Sequence, residues 1–211
     1  MKIKTDIEIV TGLLGSGKTH FINTLLENTM VAKEKVLVIQ YESGEQKINP
    51  FIHKKGKIII KEQDTSDKLT SEYIKQMIDF YNPHRIIIEH NGMRLLGETL
   101  SIFDDSPVVY YMADASTFDM FFINMKELIE PYVYHSNLII LNNCNLIDKS
   151  KVKSLKKQIE ALNLNAFIIA IGSMNELSSE LQRADVLDNS ILKNIRIAIR
   201  NVKLSNFIRR R

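Results

Sequence analysis

Eight consecutive residues, Gly12-Leu13-Leu14-Gly15-Ser16-Gly17-Lys18-Thr19, constrain this chain more than any other feature. They satisfy G-x-x-x-x-G-K-S/T, a pattern whose chemistry needs a strand before it and a helix after it. Glycines let the backbone curl so that successive N–H groups point at phosphate oxygens, and the helix that follows adds the positive end of its dipole. Lys18 is placed to reach the outer phosphates and the Thr19 hydroxyl to ligate Mg²⁺. The candidate phosphate-binding residues are therefore Gly12, Leu14, Gly15, Ser16, Gly17, Lys18, Thr19 and His20, with Lys18, Thr19 and the more distant Glu89 the candidates for catalysis. The flanks supply the required context. Ile7-Glu8-Ile9-Val10 reads as a strand, and Phe21, Ile22, Leu25 and Leu26 recur at helical spacing.

The rest of the chain alternates short apolar runs with helical patterns, which implies βαβ units and an α/β fold. Strands are expected at 35–41, 57–61, 85–89, 108–112, 138–141 and 167–170. Helices are expected on the stripe Leu69, Tyr73, Met77 and Phe80, capped by Ser66 or Asp67, then near 95–103, over 117–128, and on Val152, Leu155, Ile159 and Leu162. This predicts three layers, with a mostly parallel central sheet flanked by helices. A chain of 211 residues suits one such domain over 1–211, with the sheet core ending near 172 and a basic helical segment over 186–211.

Glu89 closes the apolar strand Ile86-Ile87-Ile88, where a carboxylate can hold Mg²⁺ directly or through water, and Gly92 lets the backbone turn toward a γ-phosphate. Glu42 and Glu45, flanking Gly44, are placed to line the same magnesium cavity. The candidate metal set is Thr19, Glu42 and Glu89. The histidines His20, His53, His84, His90 and His135 show no paired ligand spacing and read as surface or loop residues.

Composition excludes several classes. The chain is 45% hydrophobic and 25% charged, ordinary for a soluble protein, with no apolar run long enough to cross a bilayer. The N-terminus lacks the apolar block of a secretory signal, and the single cysteine, Cys144, excludes an intrachain disulfide and a thiolate zinc cage. A reducing cytoplasm is the expected compartment. The last 22 residues carry seven Lys and Arg and no acid, leaving the remainder net negative. A stripe of Ile191, Ile195, Ala198 and Val202 makes that segment a closing helix whose basic side would face solvent or an acidic partner.

Together these residues resemble the CobW-type GTPases, relatives of the nickel-insertion GTPases, and imply a P-loop NTPase fold. Thr11 to Thr19 is similar to that family's T-G-F-L-G-x-G-K-T, and Tyr41-Glu42-Ser43-Gly44-Glu45 to its N-E-F-G-E switch segment. Glu89-His90-Asn91-Gly92 falls where the family has E-x-x-G, and Leu141-Asn142-Asn143-Cys144-Asn145-Leu146 aligns with L-N-K-x-D-L, the guanine-reading motif. The resemblance implies that Asn142, Asn143 and Asn145 contact the base. It also meets three departures. The C-x-C-C metal motif, expected near Gly56 to Gln63, has no cysteine. Asn145 replaces the aspartate that accepts from both guanine N1–H and the 2-amino group, and an amide left with an unpaired donor there costs about 1–3 kcal/mol. The third is the basic stretch Ile191 to Arg211, which stands where many family members continue into a second domain.

The implied function is a slow, GTPase-type nucleotide switch linked to metal or cofactor homeostasis, with weakened guanine selectivity. Its cofactors would be Mg²⁺ and GTP or another purine nucleoside triphosphate. Two alternatives stay open. One is a non-hydrolysing interaction module. The other is a small-molecule kinase, which would need more arginines than Arg85 and Arg94 between Lys18 and Lys149. Beyond nucleotide, the expected partners are a protein client or acidic surface met by the basic segment, or a second copy in a homodimer; nucleic acid is not expected.

Overall fold

Seven apolar runs form strands: β1 (Asp6–Thr11), β2 (Lys35–Gln40), β3 (Lys57–Glu62), β4 (Arg85–Glu89), β5 (Val108–Asp114), β6 (Leu138–Asn142) and β7 (Phe167–Ala170). In this computed structural model, which describes residues 5–41, 46–51, 56–64, 66–185, 187, 193 and 197, they make one sheet in the order β3-β2-β4-β1-β5-β6-β7. Every pairing is parallel. A wholly parallel sheet needs cover on both faces, and β4 and β6 are buried at every position.

The cover comes from α1 (Lys18–Thr29), α2 (Ser71–Tyr81), α3 (Leu96–Leu100), α4 (Phe118–Asn124), α5 (Lys126–His135), α6 (Lys149–Leu162) and α7 (Leu177–Ala184). Alternation along each strand splits the core in two. Ile9, Ile86, Ile88 and Tyr111 pack with Ile74, Phe118, Ile129, Tyr132, Leu155 and Ile159 from α2, α4, α5 and α6. Val10, Ile87, Tyr110 and Met112 point the other way, against Phe21, Ile22 and Leu25 of α1 and Leu177 and Leu181 of α7. The three expected layers are present. β1 lies between β4 and β5, so the strand order reverses there and opens a crevice at the carboxyl ends of the strands.

Several local expectations are corrected. Thr70 caps α2, its hydroxyl accepting from Tyr73 N at 3.1 Å, because Ser66 is held in a turn by Asp64. Leu69, Tyr73 and Met77 of the expected stripe pack against the core beside the buried Ile74, but Phe80 is 78% exposed. The helix expected over 117–128 is two helices. Met125, at φ −131° and ψ 40°, leaves the helical region, and α5 then continues to His135. The short helix α7 has no counterpart in the sequence reading.

Of the segment 186–211, only Leu187, Lys193 and Ile197 are described; the stripe Ile191, Ile195, Ala198 and Val202 and the remaining basic residues lie outside the described residues. Lys193 is not on a solvated face. It is 5% exposed, donates to the Thr29 carbonyl at 2.6 Å and pairs with Glu34 at 3.4 Å. Glu34 also pairs with Arg85 at 3.3 Å, and Arg85 reaches Glu8 at 3.4 Å. This buried ion cluster sits where β4 begins, at the opposite end of the sheet from Glu89. Among the described residues no helix is long and apolar enough to cross a membrane.

Candidate functional site

The phosphate motif forms the bend between β1 and α1 that its chemistry demands. Gly12, Gly15 and Gly17 take φ values of 142°, 79° and 102°, and a side chain on Gly12 would run into the Met112 carbonyl oxygen of β5. Helix α1 opens at Lys18 with no acid in its first turn, so its positive end is left for an external anion. Lys18 is 4% exposed, and its Nζ donates to the carbonyls of Gly12 at 2.8 Å and Leu13 at 3.1 Å. Ser16 is buried, Leu14 and Gly15 stand exposed at the tip of the loop, and His20 is half-buried one position beyond Thr19.

Three elements converge on Glu89, which is 1% exposed. Thr19 Oγ1 donates to its Oε1 at 2.6 Å, and Gln40 Nε2 donates to its Oε2 at 2.6 Å. Gln40 was missed in the sequence reading. Its signal was present all the same: it is a polar residue ending the apolar run Val36-Leu37-Val38-Ile39, in register with Glu89 on β4. Glu42 and the rest of 42–45 lie outside the described residues.

Gly92 presses the loop after β4 onto the phosphate loop, since any side chain there would strike the Gly12 carbonyl oxygen. The Tyr132 hydroxyl holds that apposition by sharing itself between the carbonyls of Gly92 at 3.1 Å and Arg94 at 2.7 Å. Two of the histidines read as surface or loop residues lie in loops but are buried. His84 Nδ1 accepts from Lys35 N at 2.9 Å, and His90 Nδ1 lies 3.1 Å from Thr11 Oγ1. Burial, reinforced by the charges of Lys18 and Arg94, pushes the pKa of His90 down to about 4, so the ring is neutral beside the phosphate loop. His135 is exposed, and His53 lies outside the described residues.

The expected base-side residues close the crevice next to this. Asn142 is buried at the end of β6, its Oδ1 accepting from Asn143 N at 2.8 Å. Asn143 is left-handed at φ 59° and donates Nδ2 to Asp114 Oδ2 at 2.7 Å. Asn145 is exposed in a 3₁₀ turn over Cys144–Leu146, which Cys144 N ties to Ile171 O at 3.0 Å. The loop after β7 bridges the two halves. A β-carbon on Gly172 would stand 3.5 Å from the Asn145 β-carbon, and one on Gly17 would stand 3.1 Å from the Met174 sulfur. The site residues described on α1, β2, β4 and β6 thus gather at one edge of the sheet. Among the described residues no cluster of three or more His, Cys, Asp or Glu side chains is placed to hold a metal ion.

Solved structures share this architecture. The hydrogenase maturation factor HypB from Archaeoglobus fulgidus superposes with a TM-score of 0.57 at 19% identity, over 85% of this chain and 90% of that one. HypB from Helicobacter pylori in complex with nickel gives 0.54 at 15% identity, over 90% and 92%. The Zn(II)-bound YjiA GTPase from E. coli gives 0.55 at 18% identity, over 79% of this chain and 57% of YjiA. At such identities the likeness establishes the fold alone. No curated protein matches the sequence. A family model does: residues 6–170 match the CobW/HypB/UreG nucleotide-binding domain, and the chain belongs to that family.

Proposed function

We propose that this domain binds a purine nucleoside triphosphate with Mg²⁺, GTP being the first candidate, and works as a slowly hydrolysing switch. The observation that carries this reading is the meeting of Thr19, Glu89 and Gln40 at the mouth of the phosphate loop, with Glu89 bonded to both partners at 2.6 Å. A hydroxyl and a carboxylate are the hard oxygen donors that Mg²⁺ prefers. Thr19 and Glu89 would hold it, directly or through water, with Glu42 a further candidate. When bound, Mg²⁺ supplies charge neutralisation at the β- and γ-phosphates. The loop amides and the N-terminus of α1 orient the triphosphate, and Lys18 exchanges the Gly12 and Leu13 carbonyls for phosphate oxygens. Gln40 gives its amide to Glu89 and so does not orient an attacking water, which fits slow turnover.

At the base, the Asn145 amide accepts from only one of the two guanine donors, so guanine selectivity is weaker than an aspartate would give. Asn145→Asp is expected to raise the preference for GTP over XTP by about ten- to a hundredfold in competition binding. An unchanged ratio would remove Asn145 from the base pocket.

The structures of relatives holding nickel and zinc make metal homeostasis the proposed setting. A protein client, reached through the basic segment or through a dimer, is the proposed output. The central test is phosphate release with and without Mg²⁺. Wild type is expected to release phosphate slowly and only with Mg²⁺, and Lys18→Ala to abolish release. Tight nucleotide retention without release would favour the non-hydrolysing module, which the replaced base-reading residues also suit. Failure to retain any purine triphosphate in millimolar Mg²⁺ would end the proposal.

A further inference from the structure

We infer that Glu176 is a specificity-determining residue of the base pocket, supplying the guanine-reading carboxylate that Asn145 lacks. The inference rests on the proposed nucleotide site and deepens it. Glu176 lies in the loop after β7 and folds back over Gly172, whose N–H donates to Glu176 Oε2 at 3.0 Å. Its other oxygen occupies the space beside that glycine. A β-carbon on Gly172 would stand 2.9 Å from Glu176 Oε1 and 3.5 Å from the Asn145 β-carbon, so the carboxylate and the root of the Asn145 side chain flank one small residue.

Two carboxylates bear on this corner. Asp114 and Glu176 both raise the pKa of the Cys144 thiol, with burial the larger cause. Asp114 is already engaged: Oδ2 accepts from Asn143 Nδ2 at 2.7 Å, and Oδ1 accepts from Ser116 N at 2.8 Å and from the Ser116 hydroxyl. Glu176 Oε1 has no hydrogen-bond partner among the described residues, and the residue is exposed to an incoming ligand.

The chemistry of the purine decides which ligand this favours. Guanine presents two adjacent donors, N1–H and the 2-amino group. Inosine presents only N1–H, and xanthine places a carbonyl where guanine has its amine. An anionic acceptor beside the Asn145 carbonyl rewards a second donor and repels a carbonyl. Asn145 has an NH₂ that no group on guanine's N1 and N2 edge can accept, and Glu176 offers that NH₂ an acceptor too. The guanine preference left in the pocket is therefore carried by Glu176.

The test is isothermal titration of GTP, ITP and XTP into wild type and Glu176→Gln, each with Mg²⁺. The amide keeps an oxygen for Gly172 N, and a thermal melt checks that the fold is retained. Wild type is expected to bind GTP more tightly than ITP and XTP. Glu176→Gln should weaken GTP by at least about tenfold and leave ITP and XTP within a few-fold of wild type. Equal weakening of all three would reduce Glu176 to a structural prop of the loop and overturn the inference, as would a GTP-to-XTP ratio that does not move. If neither protein binds any of the three, it is the nucleotide reading itself that fails.

Discussion

Glu89 commits both carboxylate oxygens to protein donors, and this is where single residues have most leverage on the site. Replacing Gln40 by Leu removes the amide that donates to the buried Oε2, at about 1–3 kcal/mol, and loosens the carboxylate about Thr19. Gln40→Leu should therefore raise the Mg²⁺ concentration needed for half-maximal nucleotide binding, as read in a Mg²⁺ titration at fixed nucleotide. Metal-free affinity should change little. Gly92→Ala acts differently, driving a β-carbon into the Gly12 backbone. It should lower affinity for every nucleotide alike, since it disturbs the phosphate loop rather than the base pocket. Of these residues, Glu89 and Gly92 were legible because strand ends and punctuating glycines carry a sequence signal. Gln40 was marked only as a polar strand end, and Glu176 not at all. Each matters through a partner set by strand register or loop closure, which no local pattern encodes. The burial of His90 within its loop was hidden for a related reason: histidine is compatible with surface and interior alike, and only the stacking of the phosphate loop on the loop after β4 decides.

At the scale of elements, α5 is the clamp between the post-β4 loop and the rest of the sheet. Tyr132→Phe removes the one hydroxyl shared by the Gly92 and Arg94 carbonyls. Amide hydrogen exchange in residues 90–95 should accelerate while that of β4 stays slow. The far end of α5 is tied down by Asn163. Its Nδ2 donates to the carbonyls of Val133, Tyr134 and Ser136 at 2.8–2.9 Å, while its Oδ1 accepts from Asn165 N and Ala166 N. Asn163→Ala should cost about 2–4 kcal/mol in urea denaturation. Strand positions were legible because runs such as Ile86-Ile87-Ile88 admit little else between turn signals. The break at Met125 was not, because Phe118 to Leu128 is apolar enough to continue a helix, whereas α5 takes its own direction to pack against α3, α6 and β5. α7 escaped notice for its shortness: eight residues give two turns and scant periodicity.

For the molecule as a whole, chemistry and stability are held at opposite ends of the same strands. The candidate site residues gather where β1, β4 and β6 end, and the Arg85, Glu8, Glu34 and Lys193 cluster gathers where β4 begins. Arg85→Met removes the guanidinium shared by Glu8 and Glu34, leaving Glu34 with Lys193, and should destabilise the domain by about 3–5 kcal/mol. The GTP-to-XTP ratio of the fraction that stays folded should not change. The overall architecture was readable from the phosphate motif and the strand–helix alternation. The inward turn of Lys193 was not, since seven basic residues in a short stretch read as a solvated face until one of them proves to complete a buried cluster.

Lys193 is also the last member of the buried cluster to be synthesised. Every strand of the sheet leaves the ribosome before it does, so the nascent domain passes through an interval in which Glu34 meets Arg85 but not its second cation. Chaperone engagement should be concentrated in that interval and end once the stretch around residue 193 has cleared the exit tunnel.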